Sequence, residues 1–148
     1  MLGDEAKRKR VDIRTEFADD LFPVSGDQVQ LQQVILNLAI NAIEAMSSLT
    51  ERARELVITT RNIYPNQVQV TVEDSGAGLD STTMQKIFEP FYTTKPTGMG
   101  MGLSISRSIL QSHGGRIWAT ANDGSGTIFY FTLPKYDEER IHAAVSGA

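Results

Sequence analysis

Two glycine clusters and a pair of asparagines are the residues of this chain best suited to chemistry. The clusters are Asp74-Ser75-Gly76-Ala77-Gly78 and Gly98-Met99-Gly100-Met101-Gly102-Leu103-Ser104; the asparagines are Asn37 and Asn41. Glycine serves where a backbone must turn tightly or come close to a ligand. Two such clusters flanking a Phe/Pro/Thr/Lys segment form the pattern of a nucleotide site under a mobile flap. Either cluster alone is equally consistent with an ordinary turn. Asn37 and Asn41 weigh against turns, because they lie four residues apart on an apolar helix and so share one face. A buried amide left unpaired costs about 1–3 kcal/mol, so two of them one turn apart read as the wall of a polar pocket. Amides bonded to neighbouring backbone are the alternative.

The helix that must position them is predicted from Asp27, an N-cap after Gly26, to Ser48. Leu31, Val34, Ile35, Leu38, Ala42, Ala45 and Met46 recur at helical spacing, and Leu36, Ala39, Ile40 and Ile43 are apolar as well. Most of the circumference is therefore hydrophobic, and the helix is expected to be buried. Its exception is the stripe Gln30, Gln33, Asn37, Asn41, Glu44 and Ser48. Upstream, Val11–Phe17 alternates as a strand and Leu21–Ser25 adds a short extended piece; Glu51–Glu55 is a polar connection. Leu56–Asn62 and Gln67–Asp74 form a hairpin around Tyr64-Pro65-Asn66, with Val68, Val70 and Val72 on one face.

Thr82–Phe88 reads as a short helix closed before Pro90, and Ser104–His113 as a longer one ended by Gly114-Gly115. Arg116–Ala121 and Thr127–Leu133 are strands around the Asn122–Gly126 turn, the second stopped by Pro134. The fold class is thus α+β, a two-layer sandwich with helices against a mixed, mostly antiparallel sheet. Trp118 and His113 have structural readings, as a strand residue and a helix-end residue.

With 148 residues, 41% of them hydrophobic, the chain can bury one core and is expected to form one domain. A net charge of −4 argues against nucleic acid or an acidic membrane as the main partner. Lys7-Arg8-Lys9-Arg10 is short and reads as a solvated linker face. No run of about 18 apolar residues occurs, so no direct membrane contact is expected of this segment. The absence of cysteine excludes disulfides and thiolate metal sites. A cytoplasmic location is the default.

Taken together, the motifs carry a family resemblance. Leu36-Asn37-Leu38-Ala39-Ile40-Asn41-Ala42-Ile43-Glu44-Ala45 resembles the N box of the GHKL ATP-binding domain. Asp74–Gly78 resembles its G1 box, Phe88-Glu89-Pro90-Phe91 its F box and Gly98–Leu103 its G2 box. Gly124-Ser125-Gly126-Thr127-Ile128-Phe129 is similar to the final glycine box. In this order, from Asp27 to Pro134, the pattern is similar to the catalytic ATP-binding domain of bacterial sensor histidine kinases. Phe91-Tyr92-Thr93-Thr94-Lys95-Pro96 with its Met-Gly run resembles the PAS-linked members.

The resemblance implies ATP and Mg²⁺. It makes Asn41 the metal ligand, through a hard amide oxygen, and Asn37 a neighbouring contact in the catalytic set. Asp74 would accept from the adenine amine, where guanine presents a carbonyl, with a plain turn-capping aspartate as the alternative. Gly76 and Gly78 would let backbone pass the base; Gly98, Gly100 and Gly102 would face amides to the phosphates and hinge a lid. Lys95 is the candidate cation for the terminal phosphate, with a solvated loop lysine as the alternative. Phe88, Thr94, Leu103, Ser104 and Thr127 complete the implied nucleotide set, Phe88 also reading as an anchor of the lid in the core.

Two absences shape the implied mechanism. Hydrolytic relatives such as gyrase carry a water-activating glutamate at the position of Asn37, and an amide takes no proton at neutral pH. Neither His113-Gly114 nor His142-Ala143 matches the His-Glu or His-Asp acceptor motif of sensor kinases. The acceptor histidine is therefore expected on a separate dimerisation domain upstream of Met1, with a response regulator receiver domain downstream in signalling. Residues 1–10 are then the linker, 11–135 the catalytic domain and 136–148 a C-terminal tail. Glu44 departs from the lysine many sensor kinases have there. An anti-sigma serine kinase and a non-catalytic docking module remain as alternatives.

Overall fold

A computed structural model describes residues 2–46, 53–76, 78–79, 81–89, 102–122 and 126–136. Helix α1, Leu2–Arg8, leads into strand β1, Asp12–Phe17, and then into the long helix α2, Gln28–Ala45. Strands β2, Glu55–Ile63, and β3, Gln67–Asp74, form a hairpin. Helices α3, Ser81–Lys86, and α4, Gly102–Ser112, follow, and strands β4, Arg116–Ala121, and β5, Thr127–Pro134, finish the fold.

The sheet runs β1-β2-β3-β5-β4. β1 pairs parallel with β2, and α2 is the crossover between them; the other three pairings are antiparallel. This is the expected α+β sandwich, with one parallel pair making the sheet mixed. Val68, Val70 and Val72 face Leu133, Phe131 and Phe129 across the β3–β5 ladder, so that strand alternation puts β-branched and aromatic residues side by side. The core joins Val70, Val72 and the three β5 residues of this row to Leu38, Ala42 and Ile43 of α2 and Leu110 of α4. Asp74 is the next position of the same parity on β3, opposite Leu56 on β2. An apolar row therefore ends in a carboxylate.

α2 begins as predicted: the Asp27 side chain accepts from the Gln30 N–H at 3.0 Å. The helix is less enclosed than its composition implies, since Val29, Gln30, Gln32 and Gln33 are exposed and only the later turns enter the core. The stripe runs from solvent at Gln33 to half-buried positions at Asn37, Asn41 and Glu44. At the N-terminus the basic run, expected as a solvated linker face, is partly helical. Ala6 of α1 is 4% exposed and joins the core, while Lys7 and Arg10 remain exposed.

His113 has a capping role at the far end of α4. Its Nε2 accepts from the Asp27 N–H at 3.0 Å, and Nδ1 lies 2.7 Å from the Ile109 carbonyl. The Nδ1–H tautomer satisfies both contacts. Trp118 stacks on Tyr130 at 5.2 Å with nearly parallel rings. Pro134 does not stop β5 early; it is still in register with Gln67, and Lys135 donates onward to the Asn66 carbonyl. The Leu21–Ser25 piece is reduced to one bridge, Val24 to Lys135. No helix among the described residues is long and apolar enough to cross a membrane.

Candidate functional site

Asp74 is the centre of the site. It is 3% exposed at the end of β3, and its Oδ1 accepts two backbone bonds, from Gly76 N–H at 2.8 Å and from Thr127 N–H at 3.3 Å. Both end on the same oxygen, which leaves Oδ2 without a partner among the described residues. Burial pushes the Asp74 carboxyl above its ordinary value; the Gly76 and Thr127 bonds work in the opposite direction, and the neighbouring Glu73 charge adds to the rise. A carboxylate with one oxygen anchored by the fold and the other left over is equipped to accept a bond from a ligand amine.

The turn before β5 fits against this carboxylate only because of a glycine. Gly126 has φ +97°, and a Cβ there would overlap the Asp74 carbonyl oxygen. Beside it, Gly78 has φ +86°, and a Cβ on it would lie 3.2 Å from the Gly126 carbonyl oxygen. The two sequence-distant glycine boxes thus meet at Asp74. Next to them, Asn122 Nδ2 donates to Glu73 Oε1 at 2.7 Å and ties the end of β4 to β3.

α2 is the spine to which the other parts attach. At its C-terminal end, Met46 Sδ accepts from the Ser75 N–H and hydroxyl at 3.4 and 3.2 Å. A Cβ on Gly76 would meet the Ala45 carbonyl oxygen at 3.0 Å. The Asp74–Gly76 turn is therefore docked one turn beyond Asn41. Two turns earlier, Asn37 Nδ2 donates to Ser106 Oγ of α4 at 3.3 Å. Asn41 lies half-buried between these two anchor points.

The remaining predicted residues divide cleanly. Gly102 is the exposed first residue of α4, with Leu103 and Ser104 half-buried behind it. Leu103 packs against the core, as does Phe88, whose ring meets Phe129 edge to face at 6.2 Å. Thr127 is buried, and its contact with the site runs through its backbone N–H to Asp74. Thr94, Lys95, Gly98 and Gly100 lie outside the described residues. Sequence reasoning missed Ser106, Ser75, Met46 and the Glu73–Asn122 pair. Of these, Ser106 left a signal, a hydroxyl at helical spacing between Leu103 and Leu110.

No three His, Cys, Asp or Glu residues group into a metal site among the described residues. The neutral amide oxygen of Asn41 still suits Mg²⁺, a hard cation that takes few protein ligands and keeps waters and phosphate oxygens for the rest.

The fold is an α+β sandwich in which a polar helix face and a buried aspartate converge on glycine turns. Residues 26–137 match the family described as histidine kinase-, DNA gyrase B- and HSP90-like ATPases. The chain belongs to that family. It is 44% identical over 133 residues to the sensor protein FixL of Bradyrhizobium diazoefficiens, a match covering 90% of this chain and 26% of FixL. It is 38% identical over 125 residues to the signal transduction histidine-protein kinase AtoS of Escherichia coli K12, covering 84% of the chain and 20% of AtoS. The chain thus spans about a quarter or less of these two relatives. Among solved structures, the catalytic domain of the histidine kinase ThkA superposes with a TM-score of 0.77 at 36% identity, covering 90% of this chain and 86% of that domain. The chain is a catalytic ATPase domain of the histidine kinase type.

Proposed function

We propose that the chain binds Mg²⁺-ATP with the adenine against Asp74 and presents the γ-phosphoryl group to a histidine on a separate dimerisation domain. A response regulator receiver domain then takes the phosphoryl group on. The observation that carries the reading is the Asp74 carboxylate: buried, with Oδ1 held by two backbone donors and Oδ2 left to accept. Support also comes from relatives. ShkA, 26% identical with a TM-score of 0.79 over 92% of this chain and 28% of its own, has a structure in complex with AMPPNP. ThkA, at 32% identity in that structure, has one in complex with the response regulator protein TrrA.

In this reading Asp74 selects adenine, and Asn41 offers its amide oxygen to the cation. When bound, Mg²⁺ neutralises phosphate charge and orients the transferred group. The family resemblance assigns Lys95 and Thr94, with the amides of Gly98, Gly100 and Gly102, to the phosphates, and the N-terminus of α4 adds its dipole. Asn37 bears no exchangeable base, so the pocket holds ATP without activating water. Positioning is the main demand of phosphoryl transfer, which agrees with a site poor in acids and bases. We place this work in the cytoplasm, where ATP is supplied.

The test is transfer in trans. Incubated alone with Mg²⁺ and labelled ATP, the chain stays unlabelled and releases phosphate slowly. With a histidine-bearing hairpin domain from a sensor kinase, the hairpin becomes labelled through an acid-labile, base-stable bond. Robust self-labelling, acid-stable phosphoserine, or hydrolysis indifferent to the hairpin would replace this reading with a serine kinase or an ATPase.

A further inference from the structure

Ser106 is an unusual choice for its place. It is 0% exposed, on the face of α4 that carries Leu103 and Leu110 into the core. Packing alone would favour an aliphatic residue there, because a buried hydroxyl is costly unless bonded and serine is a weaker helix former than leucine or alanine. Its oxygen accepts from Asn37 Nδ2 at 3.3 Å.

We propose that Ser106 is a positioning residue that anchors the Asn37 amide. The terminal torsion of asparagine is broad and nearly two-fold, so an unanchored amide presents oxygen and NH₂ to the same space in turn. With Nδ2 on Ser106 Oγ, the torsion is held and Oδ1 lies on the opposite arm of the planar amide. A carbonyl oxygen there can face a cation or its bound water; an NH₂ group would oppose it. Because α4 starts at Gly102, within the second glycine cluster, the same bond ties the helix that begins there to the amide face of α2. The inference rests on the reading of Asn37 as part of the nucleotide site.

Two measurements test it on the 148-residue chain. In ¹⁵N spectra without nucleotide, the Asn37 side-chain NH₂ is expected to be protected from solvent exchange, and Ser106→Ala to remove that protection. An Asn37 NH₂ exchanging as fast as the exposed Gln30 and Gln33 amides in the wild-type chain would overturn the assignment. The second is a double-mutant cycle on the gain in ATP affinity produced by Mg²⁺. Ser106→Ala is expected to cut that gain by roughly threefold to tenfold, the size of one hydrogen bond. It should have no further effect in an Asn37→Ala background, and Ser106→Cys, a weaker acceptor of similar volume, should fall between. Additive losses would mark Ser106 as a packing residue only. Asn37→Ala without any effect would instead remove Asn37 from the site and the proposal with it.

Discussion

Thr127 donates its backbone N–H to Asp74 Oδ1 across 53 positions of sequence, at 3.3 Å, and so fastens the start of β5 to the carboxylate at the end of β3. The bond explains how one acidic side chain is kept in a place that burial makes unfavourable for its charge. Folding holds the Asp74 proton more tightly than the unfolded chain does, since its folded value is raised above 3.8. The contribution of this group to stability therefore falls as pH rises from 3.8 through the raised value.

Ligand binding should show the opposite trend. Acidification through the raised value puts a proton on the carboxyl and turns an acceptor into a donor, so ATP affinity should drop at a pH above that of an ordinary aspartate. Asp74→Asn should weaken binding by about 1–3 kcal/mol at neutral pH and flatten this profile. Calorimetric titrations across pH check both; an Asp74→Asn variant with wild-type affinity would sink the adenine assignment.

Gly126→Ala should cost at least about 2 kcal/mol of stability, because an L side chain is strained at φ +97° and its Cβ meets the Asp74 carbonyl oxygen. Gly102→Ala is the control. Among the described residues nothing lies within 4 Å of a Cβ there, and alanine is the better helix former, so stability should hold or rise. Urea unfolding of the two variants separates them.

Asn41→Ala should remove most of the Mg²⁺-dependent part of ATP affinity and leave the Mg²⁺-free part nearly unchanged, since in the proposed reading the lost group is a metal ligand and not an adenine contact. Titrations with and without excess chelator read the two parts independently. Equal losses in both would argue against a ligand role.

His113→Ala should lower stability by about 1–2 kcal/mol, through loss of the bond from the Asp27 N–H and of the contact with the Ile109 carbonyl. ATP affinity should not change. Thermal melts and titrations on the same sample decide whether the ring serves the fold alone.

Much of this was legible in the residues. Asp27, the apolar period of α2 and the valine alternation of β3 are local signals, and each produced the element it predicts. The turn that follows Asp74 was legible because an alternating strand running into Asp-Ser-Gly must end there. Ser106, Met46 and Thr127 were harder, for their partners lie 69, 29 and 53 positions away, and no local period encodes a pairing at that range. Thr127 was placed near the nucleotide from its box; its backbone bond to Asp74 is a tertiary fact. α1 was missed because Lys7–Arg10 dominates its composition, while the single small residue Ala6 makes the core contact.

β5 lies between β3 and β4, although it is the last strand in sequence. As the chain leaves the ribosome, β4 emerges before the strand it pairs with, and Asp74 emerges before the N–H groups and glycine that close its pocket. A nascent chain ending short of Thr127 lacks half of the carboxylate's backbone anchor and has no strand to lay along β3. β5 thus completes the sheet and the Asp74 anchor together, and a ligand that needs this anchor can stabilise only chains already synthesised past it.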